Sequence, residues 1–120
     1  TKCEVIIISD TFREFVSPLL NKLCQPTIFC HTLEIDHSGR ITDYFLRQQD
    51  QKRQAVSALK ALNFQVLAAG DSYNDITMLQ SAHHGIFFRP TQKITKEFPS
   101  FPVTHQYAEL KLELQKHLNG

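Results

Sequence analysis

The chain has 120 residues, enough for one domain by the usual size prior, and 42% of them are apolar, so a real core can form. Formal charge is +1, from 13 Lys plus Arg against 12 Asp plus Glu. With no basic block and no apolar run long enough for a membrane span, neither nucleic acid nor a bilayer is implied as a partner.

The first element expected is a strand over Glu4-Val5-Ile6-Ile7-Ile8-Ser9. Consecutive β-branched residues suit a strand buried on both faces, as in a parallel sheet. It ends at a polar corner, Ser9-Asp10-Thr11. A helical pattern follows, with Phe12, Phe15, Val16, Leu19, Leu20 and Leu23 on one side. Pro18 either kinks that helix or opens a second one capped by Ser17. Thr27 to Cys30 reads as a short strand, and Leu33–Asp36 with Ile41–Phe45 as a hairpin around His37-Ser38-Gly39-Arg40. Asp50 is positioned to cap a helix running to about Leu62, with Val56, Leu59 and Leu62 inward.

A strand over Phe64–Ala69 then enters Gly70-Asp71-Ser72-Tyr73-Asn74-Asp75, and a helix is expected over Asn74–Ala82. His84–Phe88 is a further strand, Gln92–Glu97 a short helix, and Phe98–Pro102 an extended loop. The last helix runs from Tyr107 to about Leu118 with Tyr107, Leu110, Leu114 and Leu118 on one face. Strands alternating with helices argue for a parallel α/β sheet.

The three cysteines, Cys3, Cys24 and Cys30, are odd in number and lack metal-like spacing. They read as reduced, mostly buried thiols of a cytoplasmic protein without a signal peptide. Adjacent pairs such as Cys30-His31 and His83-His84 point apart and do not suit zinc.

Chemistry is expected at the carboxyl edge of the sheet, where open α/β sheets bind ligands. Asp71 follows a strand directly, and Asp75 lies four residues on, in a first helical turn that favours an anion. Magnesium takes a few carboxylate oxygens together with water and phosphate oxygens, so these two aspartates suit it. Ser9 and the amides after it suit an anion at a helix start. Lys52, in the first turn of its helix, opposes the dipole and so points to a nearby anion. The Asn74 amide suits a phosphate or substrate group. Each residue also has a bland reading: N-cap for Ser9, Asp71 and Ser72, dipole partner for Asp75, solvated surface for Lys52. Taken together they form the electrostatic half of a phosphoryl-transfer site, without an obvious nucleophile.

Ser9 after a buried strand, Lys52 opening a helix, and Gly70–Asp75 after another strand resemble the second, third and fourth motifs of the haloacid dehalogenase-like phosphatases. More narrowly, Ser9-Asp10-Thr11-Phe12, Cys30-His31-Thr32-Leu33-Glu34, Leu46-Arg47-Gln48 and Lys52-Arg53-Gln54-Ala55-Val56 resemble the phosphoserine phosphatase type. Within it they look most like the bifunctional phosphoserine phosphatase/homoserine phosphotransferases. The resemblance implies a Rossmann-like α/β fold, one partial core domain over residues 1–120, Mg2+ and a small phosphorylated metabolite. It implies that Ser9, with Asp10 and Thr11, binds the phosphoryl group and that Lys52 neutralises it. It further implies that Asp71 binds Mg2+, that Asp75 supports the metal and Lys52, and that Asn74 faces the phosphate. The family reaction is attack by an aspartate on the phosphate ester, giving an aspartyl-phosphate.

The family's first motif, an Asp-x-Asp pair, occurs nowhere in these 120 residues. Its strand, expected at the sheet centre between the Val5 and Phe64 strands, and the helical cap are missing with it. The chain alone is therefore expected to lack turnover, and the open edges to be closed by collapse, a second copy or an N-terminal segment. Two other readings stand beside this one. One is a non-catalytic remnant or binding module. The other is a Gly-Asp-Ser esterase with Ser72 as nucleophile, which would need an Asp-x-x-His that does not follow.

Overall fold

In the computed structural model residues 3–118 are described. They form two compact units, one carrying the chain up to Gln51 and the other beginning at Lys52.

The first unit holds β1 (Ile6–Phe12), α1 (Arg13–Lys22), β2 (Thr27–Ile35) and β3 (Ile41–Phe45), in a sheet of order β1-β2-β3. β1 and β2 are parallel, with Ile6 opposite Thr27 and Ile8 opposite Phe29; β2 and β3 form the expected antiparallel hairpin. The two strand segments read between Thr27 and Asp36 are one nine-residue strand, because β2 pairs on one side with β1 and on the other with β3. β1 does not stop at Ser9. Ile8 lies opposite Phe29 and Phe12 opposite His31, so four steps along β1 match two along β2. Ser9-Asp10-Thr11 is thus a bulge, a device that re-aims side chains without ending the strand.

α1 is one helix with Pro18 inside it, and Ser17 does not cap a second one; its hydroxyl donates to the Arg13 carbonyl at 2.6 Å. Only part of its apolar face is covered. Leu20, with Val16, packs on Ile7, Ile28 and Cys30, while Phe15, Leu19 and Leu23 are exposed. The expected apolar band is wider than the surface that this small sheet offers. Cys3 and Cys24 are exposed and only Cys30 is buried, against the expectation of mostly buried thiols; all three are free.

The second unit starts within α2 (Gln51–Ala61) and continues through β4 (Leu67–Gly70), a 3-10 turn (Tyr73–Asp75), α3 (Ile76–Ser81), β5 (His84–Phe88), α4 (Gln92–Glu97), β6 (Val103–Thr104) and α5 (Tyr107–Leu118). Its sheet is fully parallel, in the order β4-β5-β6. β5 is central; Ile86 and Phe87 are completely buried, and Leu79, Ile94 and Val56 are nearly so. β6, which the alternation did not reveal, is held by Phe87 N–H to Pro102 O at 2.8 Å and by the buried Thr104 hydroxyl donating to Phe87 O at 2.7 Å. Leu62, expected inward, is 68% exposed, and Tyr107, expected on one face with Leu110, Leu114 and Leu118, is 70% exposed. Leu62 falls beyond the last turn of α2, and Tyr107 instead stacks on Phe88, with ring centroids 5.0 Å apart.

Within their own sheets β1 pairs only with β2, and β4 only with β5. Each therefore has one edge without a strand neighbour among the described residues. No helix among these residues is long and apolar enough to cross a membrane.

Candidate functional site

The Gly70–Asp75 loop leaves the carboxyl end of β4 and is built around the Asp75 carboxylate. Asp75 is 5% exposed, yet both of its oxygens are engaged. Oδ2 accepts from the backbone amides of Asp71 (2.9 Å) and Ser72 (3.2 Å), and lies 3.3 Å from the Ser72 hydroxyl. Oδ1 accepts from the Lys52 ammonium at 2.6 Å. A buried charge tolerates its surroundings only when it is paired and hydrogen-bonded, and this one is both. Burial pushes the Asp75 carboxyl up, but the Lys52 ammonium and the Asp71 and Ser72 amides outweigh it and hold it below the ordinary carboxylate value.

Gly70 is required by this packing. A Cβ there would lie 2.6 Å from Cβ, Cγ and Oδ2 of Asp75. The carboxylate thus folds back beneath the strand end and gathers the amides that follow it.

The structure brings Lys52 and Asp75 together, and this explains a lysine placed against its helix dipole. Asp75 supplies the anion that the placement called for. Asp71 and Asn74 are exposed on the same loop, Asp71 directly after β4. The Asp75 oxygens are filled by protein donors, whereas the Asp71 carboxylate is presented to solvent at the ligand edge of the sheet. The Asp71 carboxylate is a donor of the kind a hard divalent cation takes, and Asp75 orders the loop that carries it. Among the described residues no cluster of three or more His, Cys, Asp or Glu side chains could hold a metal.

Ser9, Asp10 and Thr11 lie in the other unit, at the bulge of β1. The Ser9 hydroxyl accepts from the Thr11 amide at 3.2 Å, so that amide is turned inward on the bulge. Three residues that the spacing did not reveal hold this corner. The Gln51 side-chain amide donates to the Ser9 carbonyl at 2.6 Å and to Asp10 Oδ1 at 3.2 Å. His31 Nε2 lies 3.3 Å from the same Asp10 oxygen. The Arg47 amide donates to His31 Nδ1 at 2.9 Å, which fixes the proton on Nε2. Gln51 is 2% and His31 5% exposed. Gln51 gave no signal because a glutamine opening a helix reads as solvated. His31 follows the buried Cys30 in an apolar strand, and its burial was the available clue.

Tyr73 and Glu97 were also missed. The Tyr73 hydroxyl donates to Glu97 Oε1 at 2.8 Å, and this bond to a carboxylate pushes the phenol pKa above its ordinary value.

The family model for haloacid dehalogenase-like hydrolases matches residues 14–107. The chain is 54% identical over 113 residues to the phosphoserine phosphatase ThrH of Pseudomonas aeruginosa, covering 94% of this chain and 55% of that protein. It is 49% identical over 116 residues to a phosphoserine phosphatase of Pseudomonas syringae pv. tomato, covering 97% of this chain and 49% of that one. The fold is similar to a crystal structure of phosphoserine phosphatase in apo form, with a TM-score of 0.70 at 23% identity, over 91% of this chain and 57% of that chain. The chain thus spans about half the length of the curated relatives it matches. An incomplete Rossmann-like α/β core, its Gly-Asp loop at the strand end and a family match over most of its length agree: the chain belongs to the haloacid dehalogenase-like hydrolases.

Proposed function

We propose that this chain is the phosphate- and metal-binding part of a Mg2+-dependent phosphomonoester hydrolase acting on a phosphoserine-like metabolite. The observation that carries this reading is the Lys52–Asp75 pair at 2.6 Å, with the Asp75 carboxylate ordering the amides that follow Gly70 and leaving the Asp71 carboxylate exposed at the strand end. The names of the two Pseudomonas relatives support the substrate class.

In this reading Asp71 holds Mg2+, which when bound neutralises phosphate charge and favours in-line displacement. Lys52, held in place by its bond to Asp75, stabilises the negative charge of the transferring phosphoryl group. That Ser9 binds the phosphoryl group through its hydroxyl is what the motif resemblance implies; within its own unit the bulge held by Gln51 and His31 fixes the Ser9 backbone. Asn74 binds the phosphate side. Three free cysteines support a reducing, cytoplasmic setting. The nucleophilic carboxylate comes from outside these 120 residues, because no Asp-x-Asp occurs in them. Homoserine as an alternative phosphoryl acceptor rests on the resemblance of the sequence motifs.

The test supplies a segment bearing an Asp-x-Asp strand in trans and measures phosphate release from phosphoserine. Release that needs Mg2+ and disappears with Asp71→Asn is the expected result. The absent Asp-x-Asp favours a second reading, a binding module that retains phosphate and metal without turnover. Phosphate binding without release in the reconstituted complex would select it.

A further inference from the structure

We infer that Tyr73 and Glu97 are positioning residues that hold the Asp71 carboxylate in its metal-binding presentation, an inference that rests on the metal role proposed for Asp71. The bonds made by Asp75 to the amides of Asp71 and Ser72 are local, spanning three and four residues, and they set the shape of the loop. The Tyr73–Glu97 bond is different. It spans 24 residues, from a side chain two positions after Asp71 to the last residue of α4.

α4 is a firm anchor. Ile94 is 1% exposed, and the Thr91 hydroxyl caps the helix by accepting from the Ile94 amide. Glu97, at the carboxyl end, has the charge sign that a helix terminus disfavours. Its position is therefore not explained by α4 itself, and the Tyr73 hydroxyl is the partner it meets. Tyr73 is 48% exposed, so its ring contributes little to the core. Its role is to carry a hydroxyl to Glu97 and so fix the exposed side of the loop against a rigid element. A loop ordered in advance gives up less conformational entropy when the cation binds.

The experiment titrates the chain with Mn2+ and reads the free ion by electron paramagnetic resonance, with thermal melts to confirm folding. Tyr73→Phe and Glu97→Ala are expected to weaken Mn2+ binding by about three- to tenfold, the range for one ordinary exposed hydrogen bond. Glu97→Gln, which keeps an acceptor oxygen but no charge, is expected to restore most of the affinity. Asp71→Asn is expected to abolish binding. If Tyr73→Phe binds as tightly as the parent while Asp71→Asn does not bind, the tether is wrong and the metal assignment survives. If Glu97→Gln is as weak as Glu97→Ala and Tyr73→Phe is unaffected, Glu97 acts by charge alone and the tether is again overturned. If the parent shows no binding that depends on Asp71, the metal assignment has failed and the inference falls with it.

Discussion

At the residue scale the organising group is the Asp75 carboxylate, not Asp71. It is buried, it fills its acceptor positions with protein donors, and Gly70 is needed to make room for it. Asp75→Asn leaves the Lys52 ammonium without its counter-charge, at only 16% side-chain exposure. Removing one partner of a buried pair costs more than the pair contributes, because the other charge stays desolvated. We expect a loss of roughly 3 kcal/mol in urea denaturation, at the lower end for buried pairs since Lys52 retains some water. The same group dictates a pH dependence. Its folded-state pKa lies below the ordinary value of 3.8, so its contribution is present above that value and is lost as pH falls through the folded-state value. Between neutral pH and the acid range, the urea midpoint of the parent should fall further than that of Asp75→Asn. Equal slopes would show that Asp75 is not the coupled group.

At the element scale, the sequence pattern was most legible where period and turn chemistry agreed. β5, α4, α5 and the hairpin from β2 to β3 stand where alternation, the Gly39 turn and helical spacing place them. The Gly70–Asp75 loop was legible as a strand-to-helix turn because an apolar run ends in Gly-Asp-Ser directly before helical spacing. The remainder lacked a local signature. β6 is two residues long, too short for any period, and only its bonds to the β5 segment mark it as a strand: Phe87 N–H to Pro102 O, Arg89 N–H to Thr104 O and the Thr104 hydroxyl to Phe87 O. The exposed flank of α1 could not be read from its spacing, because spacing shows which residues share a face and not whether a surface meets that face. Gln51, His31 and the Tyr73–Glu97 pair act over long sequence separations, which no short window contains. Pro26 signals that α1 must stop before it, but the way the helix closes was hidden. Cys24 and Gln25 both have positive φ, 60° and 54°, and the Gln25 amide closes the helix on Leu20 O at 2.9 Å. An L-residue in that region costs about 1 kcal/mol, and glycine avoids it. Cys24→Gly should therefore raise the urea midpoint by an amount worth up to about 1 kcal/mol, offset in part by glycine's greater freedom in the unfolded chain. A lowered midpoint would mean that the Cys24 side chain packs usefully despite its exposure.

For the whole molecule, the decisive fact is that β1 and β4, like β3 and β6, each end a sheet with one edge unpaired among the described residues. One of them, β1, is the run of β-branched residues whose composition suits burial on both faces. Instead Ile6, Ile7 and Ile8 are only partly buried, and the adjoining Val5 is 69% exposed. Edge strands of this kind invite pairing with another chain, and a net charge of +1 gives little electrostatic protection. The 120-residue chain alone is therefore expected to associate in a concentration-dependent manner when followed by sedimentation. A stoichiometric amount of an Asp-x-Asp strand segment should convert it to a discrete complex with a sharper melt, because the edge hydrogen bonds and the apolar faces of β1 are then covered in one step. A concentration-independent monomer with a cooperative melt of its own would show that the edges are already protected, and the case for a completing strand would be lost.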